Sequence, residues 1–389
     1  MEGKPDSKLP DLGTTIFTEM TALAQRHGAL NLAQGFPDIP PPAGLVTAAV
    51  EALHAGAHQY APMTGRRDLR EWICQHHLDR HGASFDPEGE CTIGAGASSL
   101  LFAAIQAFVH PGDEVVVQAP AYDLYGPAVT LAGGRLIEVP LLDEDGLWDL
   151  DALLTAIHGK TRMVILNTPH NPTGTVCPPG FLDALAAHLE DKPTLVLSDE
   201  VYGPIVHDGM TEVSLTQHPV LRERGLAFGS FGKLLQVTGW KIGWAVGPAS
   251  LTSELRKVHQ YDVFSTGAPL QAALAAFLPT GKGKEHLGNL AVMYQAKRDR
   301  LLKGLTGTAW EWTPAAGGFF QVLDARNLIE EDDGHWARQW TRTHGIATIP
   351  LSAFHQPPTP RIRLCFAKED ATLDAAVEKL RQIALDHGA

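Results

Sequence analysis

Cysteine is scarce in this chain. Cys74, Cys91, Cys177 and Cys365 are the only four, and they lie far apart with no C-x-x-C spacing. A disulfide framework or a structural zinc site is therefore not expected, and a reducing cytoplasm is the expected setting. Basic residues are also outnumbered: 31 Lys and Arg stand against 44 Asp and Glu, a net charge of −13. An acidic chain repels phosphate backbones and anionic headgroups, which argues against nucleic acid and membrane surfaces as partners. No stretch reaches the roughly 18 apolar residues of a membrane span. The opening MEGKPDSKLPDLG is polar and broken by proline, so it reads as a flexible lead-in and not as a signal peptide. Internal repeats and low-complexity tracts are missing as well.

What is present is a globular composition, 44% hydrophobic and 19% charged over 389 residues. That length suits about two to three domain units. The spacing of Ile16, Met20 and Leu23 predicts a helix over Thr14–His27, ended by Gly28. A Pro-rich passage, QGFPDIPPP, follows at 34–42, and from Ala43 a long alternation begins. Ser98–Val109 reads as an apolar helix after a Gly-rich turn, and Glu114–Gln118 as a short strand. RMVILN (162–167) and TLVLS (194–198) are continuous apolar runs, as expected of strands covered on both faces. Phe181–Leu189 between them reads as helix, and Leu226–Phe231 and Ile242–Val246 as further strands. Alternation of this kind predicts an α/β domain over 43–284 with a mostly parallel sheet. Beyond Lys284 a long helix (His286–Leu305) and mixed elements suggest a smaller α+β domain of 285–389, joined by residues 1–42. HQPPTP (355–360) reads as a loop.

Several familiar motifs fail on inspection. Gly94-Ala95-Gly96-Ala97-Ser98-Ser99 lacks the third glycine of a dinucleotide fingerprint, and no acid stands at the end of the next strand. It remains either a plain tight turn or a set of free backbone N–H groups able to hold a phosphate. Gly159-Lys160-Thr161 lacks the upstream glycine of a P-loop, Leu154 standing in its place. Cys74, His77 and His81 fall at helical spacing, but the polar residues around them predict a solvated face and not a metal site. Ser230-Phe231-Gly232-Lys233 matches S-x-x-K, but the accompanying K-T-G is absent.

Ligands of open α/β sheets sit beyond the carboxyl ends of the strands. There the sequence places Asn171 in T-P-H-N-P-T-G, Asp199, Glu200 and Tyr202 after TLVLS, and Lys233 and Lys241 after LAFGSFGK. Each has an ordinary reading alone: turn residue, helix cap, surface amine. A buried Asp or Lys without a partner is expensive, so their convergence points to one charged, aromatic cofactor.

Here the chain resembles the class I and II aminotransferases, pyridoxal-phosphate enzymes of fold type I. N-P-T-G at 171–174, D-E-V-Y at 199–202, S-F-G-K at 230–233 and T-G-W-K-I-G after it carry the resemblance. TTIFTEMTALAQ, NLAQGFPD, QYAPMTG and IRLCFAK extend it to the branch that holds methionine and kynurenine/glutamine aminotransferases. The resemblance implies that Lys233 condenses with the cofactor aldehyde and then shuttles the substrate proton. Asp199 would pair with the pyridine nitrogen, Asn171 and Tyr202 with the ring oxygen, and Tyr122 would stack on the ring. Gly96, Ala97 and Ser98 would hold the phosphate with Ser230 and Lys241, where many relatives carry arginine. Tyr60 would reach that phosphate across a homodimer interface. Arg363 would bind the substrate carboxylate, with Gly35 approaching through its N–H. Arg361, two residues earlier on the same strand, should face away.

The implied activity is transfer of an amino group between an apolar or aromatic amino acid and a 2-oxo acid. The side-chain pocket is expected near Ile16, Phe17, Phe36, Tyr60 and Tyr122, with no second arginine for a dicarboxylate. Methionine, aromatic amino acids, glutamine and kynurenine fit that pocket better than aspartate. The alternative on the same cofactor is a β-eliminating C–S lyase acting on cysteine conjugates or cystathionine. A cofactor-binding transcriptional regulator is disfavoured by the acidic charge.

Overall fold

The computed structural model describes residues 7–10, 12–142, 148–330, 332–354 and 358–387. Part of the polar lead-in (1–6 and Asp11) and the first half of the 355–360 loop lie outside the described residues.

Alternating side chains build the central sheet. In Glu114–Ala119, Val115 and Val117 join the apolar cluster on one face while Val116 joins the other. Met163 and Ile165 likewise oppose Val164 and Leu166, and Leu197 opposes Val196. Both faces are therefore covered, which is why these strands read as continuous apolar runs. Gly96–Phe108 and Ala249–Asp262 supply helical cover on one side, and Leu150–Ala156 and Phe181–His188 on the other. The sheet has seven strands in the order Cys91–Gly94, Gly243–Val246, Gly225–Ser230, Leu195–Asp199, Thr161–Asn167, Glu114–Ala119, Arg135–Pro140. All neighbours pair parallel except Gly243–Val246, which runs against both its partners.

A second layer joins the two ends of the chain. Helix Ile16–His27 starts where the Thr15 hydroxyl accepts from Thr18 N and stops at Gly28, whose φ of 60° is left-handed. Leu30–Asn31 then pairs in parallel with Ile346–Ala347. Met20, Leu23 and Ala24 pack with Ala337, Ile349 and Phe354. An antiparallel sheet of Ile349–Pro350, Arg361–Cys365 and Phe320–Asp324 lies in the same region. Helix Gly281–Leu305 begins five residues before the expected start and packs on Asp370–His387.

Two expectations need correction. The strands predicted at 226–231 and 242–246 are Gly225–Ser230 and Gly243–Val246. Phe231 instead opens the one-turn helix Phe231–Leu234 that carries Lys233. The helix Arg67–His81 does not present Cys74 and His77 to solvent. Both are buried with Leu69 and Ile73, and His77 Nε2 accepts from the Trp244 indole at 3.2 Å. Glu71, Gln75, Asp79 and Arg80 are exposed on the other face, so composition concealed an amphipathic helix. Among the described residues no cluster of three or more His, Cys, Asp or Glu side chains could hold a metal ion.

Gly229, just before Ser230, lies against the Trp244 ring, which would overlap an added Cβ. Gly229→Ala should therefore cost about 1–3 kcal/mol of stability as an overpacking change. Urea unfolding monitored by tryptophan fluorescence measures this; an unchanged midpoint would contradict the packing.

Candidate active site

Three strand ends, at Asn167, Asp199 and Ser230, and the strand Arg361–Cys365 converge on one cavity of about 310 Å³. Its wall includes Gly96, Ala97, Ser98, Tyr122, Asn171, Asp199, Tyr202, Ser230, Lys233, Lys241, Gly35 and Arg363. Most of the residues singled out in the sequence are thus brought together.

The start of helix Gly96–Phe108 forms one end of the cavity. The helix begins two residues earlier than predicted, so Gly96, Ala97 and Ser98 form its first turn, where N–H groups have no partner within the helix. Lys241 faces this turn from a left-handed backbone position (φ 53°). An added Cβ at Gly96 would meet Lys241 Nζ at 3.1 Å, and one at Gly243 would overlap Ala97 N. Free N–H groups, an ammonium and the Ser230 hydroxyl suit an anion such as phosphate.

Asp199 ends its strand deep in the cavity. Burial raises its pKa to about 6, opposed by the Tyr125 hydroxyl, the Val201 N–H and the charge of Lys233. Tyr125 donates to Oδ2 at 2.7 Å. Asn167 ties the neighbours together: its Nδ2 donates to the Asp199 carbonyl and its Oδ1 accepts from Asn171 N, both at 2.8 Å. Tyr125 and Asn167 were not identified from sequence. Asn167 was visible only as the last letter of RMVILN, and Tyr125 carried no separate signal beside Tyr122.

Lys233 Nζ donates to the Gly35 carbonyl at 3.2 Å and lies 5.4 Å from the Tyr202 ring centroid and 5.2 Å from that of Phe319. Burial lowers its pKa to about 8; Cys365 and Asp199 oppose the shift, and the charges of Lys241 and Arg363 add to it. A neutral amine is thus accessible near neutral pH.

Arg363 is fully buried. Its Nη1 donates to Asn171 Oδ1 at 2.8 Å and its Nη2 to the Ala33 carbonyl at 2.7 Å, while Nε has no hydrogen-bond partner. Phe320, Phe354 and Phe17 surround the guanidinium, with ring centroids at 4.0, 5.1 and 5.2 Å. Burial pulls its pKa down to about 10, so it stays charged at neutral pH. Arg361 faces outward and pairs with Asp324 at 3.0 Å.

The structure does not bring every candidate in. Phe36 is 41% exposed and Tyr60 82% exposed, and neither lines the cavity, nor does Ile16. The Phe36 carbonyl is held by Lys368, with the ring over that ammonium; Tyr60 packs edge-on against Phe264. Of the five expected side-chain contacts only Phe17 and Tyr122 line the cavity. Phe320 and Gln34, which were not predicted, do so too.

A low-pKa amine, a buried carboxylate, an anion-ready helix start and an arginine with an orphaned Nε fit pyridoxal phosphate together with an amino acid. The fold and the cavity thus define a pyridoxal-phosphate transferase. Residues 28–380 match the family described as Aminotransferase class I and II, and the chain belongs to it. It is 44% identical to the methionine aminotransferase of Escherichia coli K12 over 97% of this chain and 98% of that protein. It is 33% identical to the kynurenine–oxoglutarate transaminase of Dictyostelium discoideum over 98% of this chain and 96% of that protein. The structure of N-succinyldiaminopimelate aminotransferase from Mycobacterium tuberculosis matches with a TM-score of 0.94 and 38% identity. That match covers 98% of this chain and all of that one. The chain is a pyridoxal-phosphate-dependent aminotransferase, and the comparisons lend the C–S lyase alternative no support.

The raised Asp199 pKa has a consequence for the cofactor-free protein. The folded chain keeps that proton up to about pH 6, whereas an unfolded chain releases it near about 3.9. Asp199 therefore contributes stability at low pH that is lost as pH rises across this window. Relative to the unaltered chain, Asp199→Asn should gain a few degrees of melting temperature between roughly pH 4 and pH 6.5. A pH-independent difference would count against the burial.

Proposed function

We propose that this aminotransferase moves the amino group of an apolar or aromatic L-amino acid, methionine foremost, to a 2-oxo acid. Arg363 carries the reading: it is the only arginine among the described cavity-lining residues, and aromatic rings surround it. One guanidinium suits one carboxylate, and no second one stands ready for a dicarboxylate side chain. The names of the methionine and kynurenine relatives agree with such a pocket. An apolar wall discriminates weakly, by about 1–3 kcal/mol per methylene, so aromatic amino acids, glutamine and kynurenine are expected as further substrates.

Pyridoxal phosphate supplies an aldehyde for the amino group and a ring that accepts the electron pair left at Cα. Arg363 and the Gly35 N–H orient the substrate carboxylate. Lys233 Nζ takes the proton from Cα, which its depressed pKa permits near pH 7 to 8. Asp199, anionic at neutral pH, holds a proton on the ring nitrogen, and Asn171 and Tyr202 bind the ring oxygen. Tyr122 covers the ring face. Gly96, Ala97, Ser98, Ser230 and Lys241 hold the phosphate; Lys241 does so as a point charge, without the planar fork of arginine.

The same reading places the cofactor domain at 43–284 and the smaller domain at 1–42 with 285–389. It also makes the enzyme a homodimer. Val46, Val50 and Leu53 form an exposed apolar stripe on helix Ala43–His54, and Tyr60, Tyr261 and Phe264 are exposed as well. A second copy covering this surface would bring Tyr60 to the neighbouring phosphate. Four free, buried cysteines agree with a cytoplasmic location.

Incubation with methionine and a 2-oxo acid tests the reaction. The new amino acid should form, and Lys233→Ala should abolish both turnover and the visible absorption of the bound cofactor. Pyruvate, ammonia and a thiol released from a cysteine S-conjugate or cystathionine, with no new amino acid formed from methionine and the 2-oxo acid, would overturn the assignment. Arg363→Ala should raise KM by at least about thirtyfold, as expected for a lost buried charge contact, while Arg361→Ala should change it little. Equal effects would refute the carboxylate role. Sedimentation equilibrium should give twice the chain mass; a single-chain mass at micromolar concentration would remove the shared site.

A further inference from the structure

Lys368 closes the IRLCFAK stretch and has no part in the reaction above. It is nevertheless only 2% exposed, and a buried ammonium is costly unless its contacts repay the lost hydration. Its Nζ donates to the Phe36 carbonyl at 2.9 Å and lies 4.6 Å from the Phe36 ring centroid. Pro37 follows Phe36 and has no N–H, so this carbonyl is the one hydrogen-bonding group of its peptide unit.

Three cations thus hold one short backbone segment. Arg363 holds the Ala33 carbonyl at 2.7 Å, Lys233 the Gly35 carbonyl at 3.2 Å and Lys368 the Phe36 carbonyl at 2.9 Å. The first two have other work in the proposed reaction, so their hold on the segment is conditional. The hold of Lys368, which does not line the cavity, is not. The segment also fits closely: a Cβ at Gly35 would stand 2.7 Å from the Phe320 ring, and that ring covers the Arg363 guanidinium at 4.0 Å. Any drift of Gly35 would therefore disturb Phe320 and, through it, the carboxylate site.

We propose that Lys368 is a positioning residue for substrate binding: by fixing the Phe36 carbonyl it keeps Gly35 and Phe320 in place beside Arg363. The proposal rests on the assignment of Arg363 to the substrate carboxylate. The effect belongs to ground state and transition state alike, so it is read in KM and not in kcat.

The test is steady-state kinetics of the cofactor-loaded Lys368→Met enzyme with methionine. KM should rise about tenfold, the size of one lost charge-assisted hydrogen bond. The kcat should stay within about twofold and the bound-cofactor spectrum should be retained, since one rim contact is lost and no reacting group. Lys368→Gln, which keeps a donor for the Phe36 carbonyl, should fall between the two and carries the comparison if the methionine variant does not fold. An unchanged KM overturns the proposal, and so does a fall in kcat at constant KM, which signals only fewer active molecules. Arg363→Ala in the same series separates the causes. If it raises KM and Lys368→Met does not, the positioning role alone is wrong; if neither does, the carboxylate assignment beneath it has failed.

Discussion

One cavity gathers three cations, Lys233, Lys241 and Arg363, beside two carboxylates, Asp123 and Asp199, with Arg363 and Asp199 buried, and the rest of the structure answers to that constraint. Lys233, Lys241 and Arg363 all line the same space, and Asp199 sits among them. Desolvation governs how they titrate: burial pulls Lys233 and Arg363 down and pushes Asp199 up. That burial makes a neutral Lys233 amine accessible near neutral pH.

The sheet makes that arrangement possible. Six of its seven strands run in one direction, so their carboxyl ends meet at one edge, and helices cover both faces. Asn167, Asp199 and Ser230 are each the last residue of a strand. Apolar alternation locks the register, and a slip by one residue would turn these polar groups to the wrong face. Gly229 allows the Trp244 ring to pack at the point where the chain turns toward Lys233.

The second layer adds the arginine side of the cavity. Arg363 comes from the antiparallel sheet, Phe17 from the first helix and Phe354 from the turn after Ile349–Pro350. Their rings pack edge to face at 5.9 Å beside the guanidinium. The guanidinium and the aromatic rings around it are therefore one construction. It exists only when the two ends of the chain are joined by Leu30–Asn31 against Ile346–Ala347.

Much of this was legible in the residues themselves. Strand runs, strand-end polar groups and the N-P-T-G, D-E-V-Y and S-F-G-K stretches are local patterns, and local patterns survive in a linear string. The helix start at Gly96 and the one-turn helix that takes up Phe231 differ by a residue or two, because hydrogen bonding and not hydropathy sets those ends. His77 was misread because a helix face is decided by what packs on it, here Trp244, 167 residues away in the chain. Sequence alone determined the cofactor chemistry, because the N-P-T-G, D-E-V-Y and S-F-G-K stretches carry the resemblance to the aminotransferase family in order and spacing. Tertiary structure alone decided that Tyr125 and Asn167 brace the acid, that Phe320 walls the arginine and that Phe36 and Tyr60 stand outside the cavity. Those outcomes depend on contacts between distant segments, and no spacing along the chain encodes the direction in which a folded side chain points.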